Sequence, residues 1–169
     1  MAQPNPVQGW FQAIDTDRSG HLDGKEIQKA LQMGGLNFEL TDIDAMLRAF
    51  DTQGNRSLDL AEFTRLHEFL TSVSQSFQYF DQDRSGSLAG AEVHRALQHA
   101  GFQLDDAVVQ VMMKKHDPDR SGSMSLPEFI KMTLFLQSCV RAFSAFDPQR
   151  RGKVEFTFPQ FVYAASHVA

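Results

Sequence analysis

The chain has 169 residues, 42% of them hydrophobic, with 15 Phe against two Tyr and one Trp; that is enough for one substantial core or two small lobes and too little for several unrelated domains. A formal net charge of −5 has the wrong sign for a nucleic-acid binder, and the single cysteine, Cys139, rules out an internal disulfide framework. No apolar run approaches the roughly 20 residues of a membrane span, and the opening MAQPNPVQGW lacks the basic and apolar regions of a secretion signal, so a cytoplasmic protein with at most peripheral membrane contact is expected.

Along the chain, apolar helical segments alternate with acidic loops. Residues 1–8 are expected as a short flexible N-terminus and 9–169 as one repeat domain. Phe11 and Ile14 lead into DTDRSGHLDGKE at 15–26. Ca²⁺ takes about six to eight oxygens, which a 12-residue loop supplies from fixed offsets around a sharp turn. Here Asp15, Asp17 and Ser19 stand at positions 1, 3 and 5, and Gly20 makes the turn. His21 offers its carbonyl, Asp23 acts through water, and Glu26 gives two oxygens. Gly34-Gly35 then reads as a helix stop, with Asp42 near the start of the next helix. That helix delivers Leu47 and Phe50 to DTQGNRSLDLAE at 51–62. Asp51 and Glu62 are kept, but Gln53 replaces a charged ligand and Arg56 stands where glycine is wanted, with Gly54 displaced. Weak or absent Ca²⁺ binding is expected at this loop.

Residues 63–80 contain no Pro or Gly and carry apolar side chains at helical spacing, so one continuous helix is expected to serve the loops on either side. The next loop, DQDRSGSLAGAE at 81–92, uses Asp81, Asp83, Ser85, the Ser87 carbonyl and Glu92, with Gly86 at the turn and Ala89 leaving position 9 to water. Gly101 marks another stop, and Asp105 suits the start of a helix that ends with Met113 and His116. DPDRSGSMSLPE at 117–128 follows, with Asp117, Asp119, Ser121, the Ser123 carbonyl and Glu128 as ligands and Gly122 at the turn. Residues 129–146 again read as one shared helix. The last loop, from Asp147 to about 160, is degenerate: Gln149 and Arg151 fall at ligand positions, and only with two inserted residues does Gln160 reach the place of the closing glutamate.

The five loops start at 15, 51, 81, 117 and 147, at separations of 36, 30, 36 and 30 residues. Position 8 is Leu22, Leu58, Leu88, Met124 and Val154, where paired loops share a short antiparallel bridge; five such positions leave one over. The fold class is therefore all-α: five EF-hand helix-loop-helix units with shared helices and short β bridges. Three complete loops predict about three Ca²⁺ sites, with Mg²⁺ as a competitor. Cys139 and His167 have no orienting motif around them, so no enzyme is expected.

The five loops, their alternating spacing, the shared helices and the expanded fifth loop resemble the penta-EF-hand family, whose members include sorcin, grancalcin and the calpain small subunit. The complete first loop is most similar to the branch containing the apoptosis-linked member and peflin. The resemblance implies dimerisation through the fifth hand, as a homodimer or as a heterodimer with another penta-EF-hand chain. It further implies a calcium sensor or adaptor that exposes apolar surface to a Ca²⁺-dependent protein partner, with Ca²⁺-dependent membrane association in reach. A calcium buffer and a regulatory subunit of a calpain-like protease stand as alternatives. Three Ca²⁺ carry +6, which would turn the formal −5 into about +1.

Overall fold

The computed structural model describes residues 6–168. Residues 1–5, most of the segment expected to be flexible, and Ala169 lie outside the described residues. Helix α1 (Pro6–Ile14) begins on a proline, which the first helical position tolerates because its N–H would have no partner there. It starts ahead of the expected domain boundary at residue 9.

Helix α2 (Gly24–Met33) ends where the glycine pair predicts. Gly35 has φ +81° and the Leu36 N–H reaches back to the Leu31 carbonyl at 2.9 Å, the bond pattern of a left-handed helix stop. After α3 (Leu40–Phe50) comes α4 (Leu60–Phe80), then β1 (Ser87–Ala89) and α5 (Gly90–His99). Helix α5 stops in the same way, with Gly101 at φ +91° and Phe102 N–H on the Leu97 carbonyl at 2.9 Å. Helices α6 (Asp106–His116), α7 (Leu126–Phe146) and α8 (Phe158–Ser166) complete the chain, with β2 (Ser123–Ser125) ahead of α7.

Both shared helices are present, each 21 residues long, about 31 Å at 1.5 Å per residue. They begin three residues earlier than the apolar stretches suggest. The reason is chemical: the closing glutamate of each preceding loop is also the third residue of the helix. Glu62 Oε2 accepts the Asp59 N–H at 3.0 Å, and Glu128 Oε2 accepts the Ser125 N–H at 2.8 Å, a capping box that starts the helix inside the loop.

The loops pair as position 8 predicts. Leu22 and Leu58 exchange N–H···O bonds of 2.8 and 2.9 Å, and Leu88 faces Met124 in the antiparallel β1–β2 pair. All four side chains have zero exposure, so each bridge also pins two apolar side chains under the loops. Val154 has no strand partner among the described residues. The core runs through both halves: α4 packs on α7, and the Phe77 and Phe129 rings meet at 6.0 Å. Helix α8 lies outside it and buries no residue of its own.

Candidate metal centre

Each loop is built around its first aspartate. The N–H of position 6 donates to that carboxylate in all five: Gly20 to Asp15 at 3.0 Å, Arg56 to Asp51 at 2.8 Å, Gly86 to Asp81 at 3.0 Å, Gly122 to Asp117 at 2.9 Å and Gly152 to Asp147 at 2.7 Å. This bond needs left-handed backbone at position 6, and glycine supplies it in four loops with φ between 71° and 80°. The exception is Arg56, which adopts φ 61° itself. The displaced glycine therefore does not unmake the turn of the second loop. Position 4 is left-handed as well, and in the other four loops it is an arginine: Arg18, Arg84, Arg120 and Arg150 at φ 51–58°. The second loop has simply exchanged the two residue types, since Gly54 at position 4 has φ 72°.

The three complete loops share a second pattern. Ser19 N–H donates to both Asp15 and Asp17 at 3.0 Å, and its hydroxyl donates to the His21 carbonyl at 2.8 Å. Ser85 repeats this on Asp81, Asp83 and the Ser87 carbonyl, and Ser121 on Asp117, Asp119 and the Ser123 carbonyl. The oxygens of positions 1, 3, 5 and 7 are thus gathered around one serine in each of these loops. The Ser19 hydroxyl and N–H hold Asp17 below its ordinary value, the Ser85 N–H and hydroxyl do so for Asp83, and the Gly122 N–H leads the lowering at Asp117. These carboxylates stay ionised, the form a hard cation requires.

The closing glutamates are held differently in different loops. Glu26 accepts the Thr16 N–H and hydroxyl, both at 2.8 Å, and Glu62 accepts those of Thr52 at 2.7 and 2.6 Å. Positions 82 and 118 are Gln and Pro, so no threonine holds Glu92 or Glu128. Two acid trios bring oxygens within 4.8 Å of one another: Asp15, Asp17 and Glu26, and Asp117, Asp119 and Glu128. Among the described residues the acids of the third loop are not drawn that close; Glu92 accepts the Ala89 N–H at 3.0 Å. Asp23, expected to act through water, caps α2 by accepting from Lys25 and Glu26 N–H at 2.8 and 2.9 Å.

In the second loop Gln53 Nε2 donates to Asp59 at 2.6 Å, tying positions 3 and 9 to each other. Desolvation pushes the Asp51 carboxyl up, but the N–H groups of Arg56, Gly54, Asn55 and Gln53 outweigh it and leave the group below its ordinary value. In the fifth loop the capping contact falls at residue 160. Gln160 Oε1 accepts the Thr157 N–H at 2.9 Å and its hydroxyl at 3.0 Å, so Gln160 occupies the capping position that glutamate fills elsewhere. It brings one neutral oxygen to that place.

Helix, 12-residue acidic loop and helix, joined in pairs by a bridge at position 8, define EF-hands. The family model for an EF-hand domain pair matches residues 7–66 and 71–134. Peflin from Xenopus laevis is 33% identical over 90% of this chain and 55% of its own length, and sorcin from Schistosoma japonicum is 31% identical over 95% of this chain and 94% of its own. A solved structure of a homolog of programmed cell death 6 protein from Leishmania major Friedlin superposes with a TM-score of 0.76 at 30% identity, covering 96% of this chain and 94% of that one. The chain belongs to the penta-EF-hand family of calcium-binding proteins. It spans 55–58% of the length of the peflins it matches.

Proposed function

We propose that this protein is a Ca²⁺ sensor or adaptor with metal sites in the loops 15–26, 81–92 and 117–128, working as a dimer joined through its fifth hand. The observation that carries the metal assignment is the convergence of Asp15, Asp17 and Glu26, and of Asp117, Asp119 and Glu128. The third loop joins them because Ser85 gathers Asp81, Asp83 and the Ser87 carbonyl in the same pattern. Dimerisation is supported by the bare apolar face of the last hand: Phe158, Phe161, Val162 and Tyr163 on α8 are 49–78% exposed. Val154, the unpaired fifth bridge position, invites the same position of a second chain. An apolar cleft of about 600 Å³ between α1, α2 and α4, lined by Trp10, Ile27, Leu31, Phe63 and Leu66, supplies a surface that a partner segment could fill.

Binding rather than catalysis fits the one thiol, since burial pushes Cys139 up and away from the reactive thiolate. No helix of the described residues is long and apolar enough to cross a membrane, and a cytoplasmic setting with Ca²⁺-dependent membrane contact belongs to the same proposal.

Calorimetric titration should find about three Ca²⁺ sites. The test variant is Glu26→Gln/Glu92→Gln/Glu128→Gln, because Gln160 shows that glutamine keeps the capping bond while removing the bidentate carboxylate. Full stoichiometry in that variant would refute the assignment. Retention on a phenyl matrix should rise with Ca²⁺; no change would point to the buffer instead, and co-purification with a protease chain to the regulatory subunit.

A further inference from the structure

Helices α3 and α7, from opposite halves of the chain, are joined by two polar straps. Lys131 Nζ lies 3.0 Å from Asp42 Oδ2, and ten residues further along α7, about 15 Å, Arg141 Nη1 donates to the Ala49 carbonyl at 2.7 Å. Between the straps opens a cleft of about 670 Å³, floored by Met46, Leu134 and Phe135.

The charge of this cleft opposes that of the molecule. Arg48, Arg56, Lys115, Lys131 and Arg141 line it against Asp42 and Asp51, a local balance of five to two in a chain of net −5. Neither acid is free to neutralise the rest. Asp42 faces Lys131, and Asp51 accepts the backbone N–H groups of Gln53, Gly54 and Arg56. Arg48 and Arg56 make no ion pair among the described residues. Lys115 Nζ is held 3.5 Å above the Phe135 ring, which keeps an ammonium group at the floor. Cations gathered around an apolar floor repel one another and focus a positive potential into the cavity. An anion relieves that repulsion, and the arginine forks match phosphate oxygens in geometry. Both straps lie among the cleft's lining residues and its volume lies in the range of small-ligand sites, which suits a compact ligand better than an extended acidic peptide.

We propose that the cleft between α3 and α7 binds a compact, multiply charged phosphate group, supplied by a phosphoinositide headgroup or by a soluble phosphorylated metabolite. The cleft uses none of the proposed Ca²⁺ ligands and is tested on the full chain in Ca²⁺-free buffer. Inositol trisphosphate is titrated calorimetrically, and sedimentation with phosphatidylcholine vesicles is compared with and without phosphatidylinositol bisphosphate. One saturable site, weakened by salt, is expected. Arg48→Ala/Arg56→Ala, which leaves both straps intact, should weaken binding roughly tenfold or more, whereas Arg95→Ala on α5 should leave it unchanged. Binding of the soluble probe alone identifies a free metabolite as the source, and preference for the doped vesicles identifies the lipid; both support the site. No binding of either probe, binding that survives the double variant, or binding of a polyglutamate peptide in place of both probes overturns it.

Discussion

At the level of single residues, the loops show two left-handed positions where sequence reasoning looked for one. The signal was present: RSG in three loops, RRG in the fifth and GNR in the second keep one glycine and one arginine two residues apart. Arg56 therefore makes the turn at φ 61°, at a steric cost that a glycine does not carry. Arg56→Gly is expected to raise stability by roughly 1 kcal/mol, read from urea midpoints in chelator; a lower midpoint would mean that the arginine side chain stabilises more than its backbone costs. His116 is the residue where packing decided what the sequence left open. Burial, with Lys115 and Lys131 nearby, pushes its imidazole down to about 4. The unfolded chain takes up a proton near 6.5 and the folded chain does not, so stability is present above 6.5 and falls as pH drops towards 4. His116→Leu should flatten that fall relative to the unmutated protein, measured as unfolding midpoints across this window without Ca²⁺. Equal slopes would show that the ring is solvated.

Among the elements, the loop bridges were legible because position 8 is apolar in every copy. What the pattern did not show is how completely they are buried. Leu88 stands directly opposite Met124 with zero exposure, so Leu88→Ala removes core contacts as well as loading the bridge, and should cost about 2–5 kcal/mol. A loss below 1 kcal/mol would mean that the loops are held by their hydrogen bonds alone. Helix α8 lies at the other extreme. Tyr163 meets Phe146 of α7, but Phe158, Phe161 and Val162 are left exposed, so substitution there should alter assembly instead of folding. Phe161→Ser, at a site 58% exposed, is expected to shift the protein towards monomer in sedimentation velocity with unchanged helicity. An unchanged dimer would move the interface elsewhere.

For the molecule as a whole, metal and fold are linked by mass action. A site that binds Ca²⁺ only in the folded state adds about 2.7 kcal/mol at a free concentration 100 times its dissociation constant. Thermal melts should therefore rise with Ca²⁺, and the triple glutamine variant should lose most of that rise; if it does not, the ion acts elsewhere. The five hands, the shared helices, the helix stops at Gly35 and Gly101 and the expanded fifth loop were all determined by the sequence, because each depends on residue type at short, fixed separations. Only the tertiary structure decided how closely the acids of each loop converge, which histidine is partly buried and which helix remains exposed. It also decided that Lys131 and Arg141 would meet α3 across a cleft of gathered cations. The straps join residues about ninety positions apart, brought together by burial of the common core, and no local spacing encodes them.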